Sequence, residues 1–251
     1  MKNESLSSIK KSITILDLIS TPPCEYTVAE ISKRTGIHLS TVYRTIEQLE
    51  EEGMVAISNE TKKYRIGPHA YRIGNSYIYR NNYMQSLEEL VHEISEKVKE
   101  SVGMAIFDQG NIVSIIESEI KQPMKLNDIP GKYFPVNKGT YGKCIMAFLP
   151  EEYIEEYLNT HTFEKTLPAT ITEKDELLAE YEKIRRQGYC NSVEESRINV
   201  AATGIPLFDH KGKIWGSLGI AFFMEDNWEQ KLEDVREIAL SYKERLEQYL
   251  P

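Results

Sequence analysis

Residues 27–54, TVAEISKRTGIHLSTVYRTIEQLEEEGM, decide the fold of the first third of the chain. Thr27 and Glu30 have the T-x-x-E spacing of a capping box, in which two residues satisfy each other's free amides at a helix start. Gly36 then ends this helix, and an amphipathic helix follows directly. A helix, a short turn with glycine and a second helix form a helix-turn-helix.

The second helix has an apolar side and a polar side when successive residues are placed about 100° apart. We predict that the apolar side packs on the preceding helices; it consists of Leu39, Val42, Tyr43, Ile46 and Leu49. The polar side begins with Ser40, Thr41 and Arg44. Recognition helices present such N-terminal residues to base edges in the major groove, where arginine suits guanine and hydroxyl groups suit bases or phosphates.

The neighbouring segments predict a winged helix-turn-helix over residues 1–67. An upstream helix with one buried face is indicated by the spacing of Leu6, Ile9, Ile13 and Leu16. Downstream, MVAISNETKKYRIG (54–67) predicts a β-hairpin whose lysines suit DNA phosphates. A polar helix face is often only solvated, but this ordered set of elements favours double-stranded DNA as the partner. The predicted DNA contacts are Thr27, His38, Ser40, Thr41, Tyr43, Arg44, Lys62 and Lys63.

Charge and composition limit the other possibilities. Residues 1–80 carry a net charge of +2 and residues 81–251 a net charge of −11, so only the first part suits a polyanion. No apolar run approaches the ~20 residues of a membrane span, and the N-terminus has no signal-peptide core. We therefore expect a cytoplasmic protein without membrane contact. Three cysteines without CxxC spacing argue against a disulfide framework.

The remaining chain predicts a linker helix over residues 68–82 and a second domain over residues 83–251. The linker is rich in tyrosine, which suits either a dimer contact or packing on its own domain. In the second domain, apolar strands flank the turns DQGN and DHKG, and amphipathic helices lie between and after them. Strand pairs mixed with helices, without βαβ regularity, predict an antiparallel sheet covered by helices, which is an α+β domain.

A small-molecule pocket is predicted where VNKGTYGKCIMAFL (136–149) opens a helix after a glycine turn. Amides at such a turn, near Thr140 and Tyr141, favour a carboxylate or phosphate. Small residues in AATG (201–204) and GSLGIA (216–221) leave room beside them, although glycine in a strand also marks close packing. Met124, Leu126 and Phe134 are candidates for an apolar wall, with core packing as the alternative role.

Catalytic and metal chemistry find little support in the sequence. The five histidines show no metal-ligand spacing, so no metal or cofactor is expected. Cys144 has no readable base partner and is interpreted as a small core residue. Glu194, Glu195 and Arg197 are interpreted as a salt-bridged loop at the rim of the pocket. We therefore predict that the protein is not an enzyme.

The quoted motifs resemble the IclR family of bacterial transcription regulators over nearly the whole chain. The matching segments are AEISKRTGIHLSTVYRTIEQLEEEGMV, YRIGP, GTYGKCIMAFLPEE, IRRQGYCNSVEE and PLFDHKGKIWGSLGI. The resemblance implies a winged helix-turn-helix, a linker helix, a C-terminal GAF-like effector domain and a homodimer or homotetramer. It also implies a metabolite effector, often an organic acid. By position it places the effector pocket at Thr140, Tyr141, Ser192, Ala202, Gly219 and Ala221, with Leu126 and Phe134 as apolar wall.

The chain departs from the family pattern in the pocket. The family often has an acidic residue at Ser192, a glycine at Asn199, and serines at Gly219 and Ala221. These departures remove polar groups that orient a ligand and favour a larger or less polar effector.

Two rival interpretations of the chain remain open. One is a metabolite sensor or enzyme of GAF-like fold whose DNA-binding module is vestigial. The other is a structural protein whose helix and hairpin bind another protein, which the modest charge of +2 allows.

Overall fold

The computed structural model describes residues 7–80, 82–108, 110–119, 126 and 128–251, with side chains for all of these except 78–80 and 82. The chain forms two compact units, Met1–Asn82 and Tyr83–Pro251. No helix within the described ranges combines the length and apolar character that crossing a membrane requires.

The first unit contains a three-helix core and a hairpin. Its elements are α1 (Ser8–Ser20), α2 (Val28–Thr35), α3 (Leu39–Glu51), β1 (Val55–Ile57), β2 (Tyr64–Ile66) and α4 (Pro68–Arg80). The predicted capping box is present. The Thr27 hydroxyl accepts a hydrogen bond from the Glu30 amide, and the Glu30 carboxylate accepts one from the Thr27 amide. Gly36 ends α2 in the left-handed conformation, with φ 71°, which glycine adopts without steric cost. The prediction of a helix-turn-helix is confirmed.

The core of this unit corrects one part of the helix-wheel prediction. Val42 and Ile46 are fully buried, together with Ile15, Ile19 and Ile31 of the first two helices. Leu39 and Tyr43 were expected to pack on the same helices, but they are 50% and 52% exposed. Tyr43 lies about 100° around the helix from Val42, at the edge of the apolar arc, and Leu39 is the first residue of α3.

The wing is a short antiparallel hairpin with a third backbone partner. Val55 pairs with Ile66, and Ile57 pairs with Tyr64. Tyr26 also exchanges two backbone hydrogen bonds with Tyr64, of 3.0 and 2.7 Å, which ties the start of α2 to the wing. Helix α4 follows directly. Two of its large side chains face solvent: Tyr71 is 72% exposed and Ile73 is 49% exposed.

The second unit is a six-stranded antiparallel sheet with helices on both faces. Its strands are β3 (Ser101–Asp108), β4 (Asn111–Ser118), β5 (Tyr133–Phe134), β6 (Cys190–Val193), β7 (Val200–Phe208) and β8 (Ile214–Phe223). Its helices are α5 (Asn82–Val98), α6 (Thr140–Met146), α7 (Glu151–Thr160), α8 (Lys174–Gln187) and α9 (Trp228–Glu247). The strand order is β5-β4-β3-β8-β7-β6, and the α+β prediction is confirmed.

The two faces of this sheet bury separate clusters. Helices α5 and α9 cover one face, where Leu87, Ile94 and Leu246 pack on strand residues such as Leu218 and Ile220. Helices α6, α7 and α8 cover the other face, where Cys144, Ile145 and Tyr181 are buried. Cys144 is thus a core residue, as predicted. Strands β7 and β8 are buried over long consecutive runs because helices cover both faces, and every second side chain points to the α6 face.

Candidate functional site

The start of α3 presents most of the predicted DNA-contacting side chains to solvent. His38 caps the helix, and its Nδ1 lies 2.8 Å from Ser40 Oγ and 3.4 Å from the Ser40 amide nitrogen. Ser40 and Arg44 are exposed, and Thr41 is partly buried. Tyr43 adds a half-exposed phenol to this surface. The surface therefore combines hydroxyl, imidazole and guanidinium groups within two helical turns.

The other predicted DNA-contacting residues differ in how free they are. The Thr27 hydroxyl donates to Glu30 Oε2 at 2.9 Å, so it already serves the cap of α2. Lys62 is exposed at the hairpin turn, with φ 55°, whereas Lys63 is partly buried. The lysines lie in the loop between β1 and β2, which the bond from the Ser58 amide to the Lys63 carbonyl closes.

The second unit contains a cavity of about 220 Å³ on the α6 face of the sheet. Eight of the nine predicted effector-binding residues line it: Leu126, Phe134, Thr140, Tyr141, Ser192, Ala202, Gly219 and Ala221. Met124 lies outside the described residues. Whether these residues bind a ligand stays a prediction.

The cross-strand register explains the cavity floor. Ser192, Ala202, Ala221 and Ser101 are paired neighbours on β6, β7, β8 and β3, and they form one row of small residues. The next row is made of Gly204, Gly219 and Gly103, followed by Glu117 on β4. Directly paired residues of an antiparallel sheet project to the same face. Both rows therefore face α6. The first row and Gly219 line the cavity, because their small side chains leave space there.

Thr140 and Tyr141 lie on the glycine row. A Cβ atom added at Gly219 would be 2.7 Å from Tyr141 Cε1, and one added at Gly204 would be 2.8 Å from Thr140 Cβ. Such contacts are too close for carbon atoms, so these strand positions need glycine for the start of α6 to lie there. Close packing, the alternative role of strand glycines, is therefore present at Gly204 and Gly219, and Gly219 also lines the cavity.

Glu117 ends the glycine row with a carboxyl group at the cavity. Its Oε1 accepts from Ser114 Oγ at 2.5 Å and from Tyr141 Oη at 3.2 Å. Burial raises the pKa of Glu117 to about 7; Asp128 adds to this effect, while the Ser114 and Tyr141 hydroxyls and Lys132 oppose it. Burial and the nearby Glu117 also raise the pKa of Tyr141 well above its usual value, so its hydroxyl stays protonated and donates.

A buried ion network fixes the loop beside the cavity. The Lys143 ammonium is fully buried and lies 2.5 Å from Glu195 Oε1, 3.2 Å from Glu180 Oε1 and 3.1 Å from the Asn191 carbonyl. Burial disfavours the charged ammonium, but Cys190, Glu195 and Glu180 outweigh it and raise the pKa of Lys143 above its usual value. The network joins α6, α8 and the loop after β6.

The predicted anion site at the glycine turn is partly occupied by the protein itself. The Gly139 amide donates to Glu195 Oε2 at 2.9 Å, so this amide is engaged. Helix α6 is also only 7 residues long, which limits its dipole. The prediction that the amides of this turn favour a carboxylate or phosphate is therefore not supported at Gly139.

The rim of the cavity carries a second set of ion pairs. Asp128 pairs with Lys132, and its Oδ1 accepts from Arg197 Nη2 at 2.8 Å. Arg197 also donates to the Leu126 carbonyl at 2.5 Å. Glu195 and Arg197 thus belong to a salt-bridged loop at the cavity, as predicted, whereas Glu194 accepts from the Asn199 amide at 2.8 Å and has no ion pair among the described residues. Asn199, where the family has glycine, has φ 59°, a left-handed conformation that asparagine tolerates better than most residues.

The sequence did not point to several polar residues of this site. Only the strand register brings Glu117 to the cavity, and only the helix contacts bury Lys143 against Glu195 at its side. Their signal was a charged residue beside an apolar run, since such residues are rarely buried unless they are paired. Within the described ranges, no group of three or more His, Cys, Asp or Glu residues is arranged to hold a metal ion.

Comparisons with known proteins identify the family. The model for "Bacterial transcriptional regulator IclR C-terminal" matches residues 75–245, and that for "IclR helix-turn-helix domain" matches residues 8–56. The chain belongs to the IclR family. It is therefore a DNA-binding transcriptional regulator with a helix-turn-helix domain and a ligand-binding C-terminal domain, and the resemblance inferred from the sequence motifs is confirmed.

Individual relatives agree with this assignment. The regulator KdgR of Dickeya chrysanthemi is 27% identical over 228 residues, which cover 89% of this chain and 74% of KdgR. A crystal structure of an IclR regulator from Alicyclobacillus acidocaldarius has a TM-score of 0.86 and 18% identity, covering 98% of this chain and 100% of that one. An IclR homologue from Microbacterium hydrocarbonoxydans, complexed with 4-hydroxybenzoate, has a TM-score of 0.77 and 16% identity. The match covers 96% of this chain and 99% of the homologue.

Proposed function

We propose that this IclR-family regulator binds a near-palindromic operator as a dimer and inserts the start of α3 into the major groove. Residues 1–67 bind the DNA, residues 68–82 form the linker helix, and residues 83–251 bind the effector and oligomerise. The observation that carries the proposal is the exposed cluster of Ser40 and Arg44 at the first turns of α3. A two-fold dimer brings two such helices to successive major grooves, about 34 Å apart.

Within this surface we assign base reading to Arg44 and positioning to the other residues. A guanidinium offers two parallel donors to guanine O6 and N7, whereas Ser40 and Thr41 contact bases or phosphates. Lys62 at the exposed wing turn contacts phosphate, which adds affinity without sequence information. Thr27 acts through its cap: it fixes the start of α2 and brings that helix end to the DNA backbone.

The proposed effector is a small catabolic metabolite such as an organic acid, bound in the cavity on the α6 face. The cavity has a floor of small residues, an apolar wall at Leu126 and Phe134, and polar groups at its ends. A related fold with 4-hydroxybenzoate bound supports a ligand of this size. Effector binding shifts the population of dimers that are competent for DNA, and DNA reciprocally alters effector affinity. Such a regulator works in the cytoplasm and has no need of catalysis.

The DNA side of the proposal is tested with Arg44→Ala, measured by gel shift on the upstream region of the regulator's own gene. We expect specific binding to weaken by about 1–3 kcal/mol and binding to unrelated DNA to change little. Lys62→Ala is the comparison, because loss of a phosphate contact weakens both kinds of DNA about equally. Equal losses on both DNAs for Arg44→Ala would show that Arg44 does not read bases.

The effector side is tested with Ala221→Trp, which fills the floor of the cavity. A thermal-shift screen of small organic acids, sugars and aromatic acids first identifies compounds that stabilise the wild-type chain by mass action. We expect the variant to lose this stabilisation while it keeps specific DNA binding in the absence of compound. A compound that still stabilises Ala221→Trp binds elsewhere, and that result contradicts the assigned cavity.

A further inference from the structure

The cavity end at Glu117 has an open hydrogen-bond acceptor. Oε1 of Glu117 is engaged by the Ser114 and Tyr141 hydroxyls. Among the contacts described, Oε2 accepts only from Tyr141 Oη, over a long distance of 3.3 Å. A carboxylate oxygen accepts two hydrogen bonds. Oε2 therefore retains capacity for a donor that enters from the cavity.

The surroundings of this carboxyl group are shaped to hold it at the cavity. A Cβ atom added at Gly103 would be 2.2 Å from Glu117 Oε2 and 2.2 Å from Tyr141 Oη, so the glycine makes room for both groups. Gly219, which lines the cavity, and Gly103, which lies beneath the Glu117 and Tyr141 side chains, offer no side-chain acceptor. The Phe134 ring contacts Tyr141 edge-on, with ring centroids 4.9 Å apart. Asp128 and Lys132 also line the cavity and act on Glu117, so this carboxyl group lies among aromatic and charged groups.

The cations that line the cavity already have partners. Lys132 and Arg197 pair with Asp128, and Lys138 donates to Thr166 Oγ1 at 2.9 Å. Glu195 is held by Lys143 and the Gly139 amide. The described lining contains three acidic and three basic side chains, so its formal charges balance before a ligand enters.

From this geometry we propose that the effector buries a hydroxyl group against Glu117, with the hydroxyl donating to Oε2. The proposal rests on the proposed effector cavity and adds the chemistry of one end of the ligand. A hydroxyl has one donor, which matches the open position at Oε2. An ammonium group has three donors, of which Oε2 accepts only one, so desolvation of the others carries a substantial cost.

The proposal is tested with matched probes on the full-length chain. One set is 4-hydroxybenzoate, 4-methylbenzoate and 4-(aminomethyl)benzoate; a second is 3-hydroxybutyrate and butyrate. Binding is measured by calorimetry and thermal shift at pH 8, above the pKa of about 7 of Glu117, so that its carboxylate is ionised. We expect hydroxylated probes to bind about tenfold to a hundredfold more tightly than their partners, because a site built for a hydroxyl rejects the analogue that lacks it.

Two variants separate recognition from structure. Glu117→Leu removes the acceptor, and we expect the preference for the hydroxylated probe to disappear. Glu117→Gln keeps the shape, but its carbonyl oxygen takes the Ser114 and Tyr141 donors and its NH2 group replaces Oε2, so we expect it to lose most of the preference while it stays folded. Unfolding of the unliganded variants, followed by tryptophan fluorescence, checks that both are folded; a merely structural Glu117 changes unfolding but leaves the preference intact, which overturns the proposal.

The outcomes distinguish this inference from the proposed function. If probes without a hydroxyl, or with an ammonium group, bind wild type and Glu117→Leu as tightly as the hydroxylated probes, the inference is wrong and the effector cavity stands. If no probe of either set binds the wild-type chain, the result counts against the cavity as an effector site and against the inference with it.

Discussion

The helix-turn-helix surface and the effector cavity are assembled in opposite ways. The surface proposed for DNA comes almost entirely from one stretch, residues 27–44, whose conformation is set by a cap, a glycine turn and a helix. The cavity combines residues from 101 to 221, which meet only through the pairing of six strands and the packing of α6. Local chemistry therefore controls the first site, and long-range register and buried charge control the second.

The largest effect that this comparison predicts belongs to Lys143→Met. Methionine has a similar shape but no charge, so Glu195 and Glu180 lose their buried cation. We expect the free energy of unfolding of the second unit to fall by about 3–5 kcal/mol, as when one partner of a buried ion pair is removed. Both tryptophans, Trp215 and Trp228, lie in that unit, so fluorescence during urea unfolding reports on it.

The matched control is Lys183→Met on the same helix as Glu180. Lys183 also approaches Glu180, at 3.6 Å, but its side chain is 60% exposed. We expect a loss below about 1 kcal/mol, since exposed ion pairs contribute little. Equal losses in the two variants would show that burial of the Lys143 network is not what stabilises the second unit.

A smaller effect is expected from the pH dependence of stability at Glu117. Its pKa is about 7 in the folded chain and near 4.5 when unfolded, so between these values only the folded chain binds the proton. The contribution of Glu117 to the free energy of unfolding is therefore fully present below pH 4.5, and it is lost as the pH rises through 7. We expect Glu117→Gln to gain about 2–3 kcal/mol relative to wild type between pH 5 and pH 8, measured by urea unfolding.

The groups around Glu117 define what would contradict this expectation. Asp128, Lys132 and the Tyr141 and Ser114 hydroxyls all act on its carboxyl group. None of these is changed in Glu117→Gln, so a difference in slope between the two proteins reports on Glu117 itself. Parallel curves for wild type and variant would mean that Glu117 titrates in the folded chain as it does in the unfolded chain.

The smallest effect is expected in the first unit, from Thr27→Ala. The variant removes the side chain that accepts from the Glu30 amide and donates to its carboxylate. Loss of a helix cap costs about 1 kcal/mol, which corresponds to roughly fivefold faster hydrogen exchange in α2. Tryptophan fluorescence of the second unit stays unchanged. The control is Ser12→Ala, because the Ser12 hydroxyl donates to the Ser8 carbonyl within α1. We expect normal hydrogen exchange in α2 of this variant. Fast exchange there would show that loss of the Thr27 cap is not the cause.

Much of the fold was predictable because its signals are local. The capping box at Thr27, the left-handed Gly36 and the turns DQGN and DHKG act over a few residues, and the structure has these elements at the predicted places. The exceptions lie at the edges of patterns. Leu39 and Tyr43 match the apolar period of α3, yet they extend beyond what the core of the unit can cover.

The sequence by itself determined the helices, the hairpins and the small residues of the strands, because backbone conformation and amphipathic period depend on near neighbours. Only the tertiary structure decided that Gly204, Gly219 and Gly103 form one row, that Glu117 ends it, and that Lys143 is buried among carboxylates. A shift of one residue in strand pairing would turn Glu117 and the three glycine positions to the other face of the sheet. That register is fixed by the packing of both helical layers, which no short stretch of sequence contains.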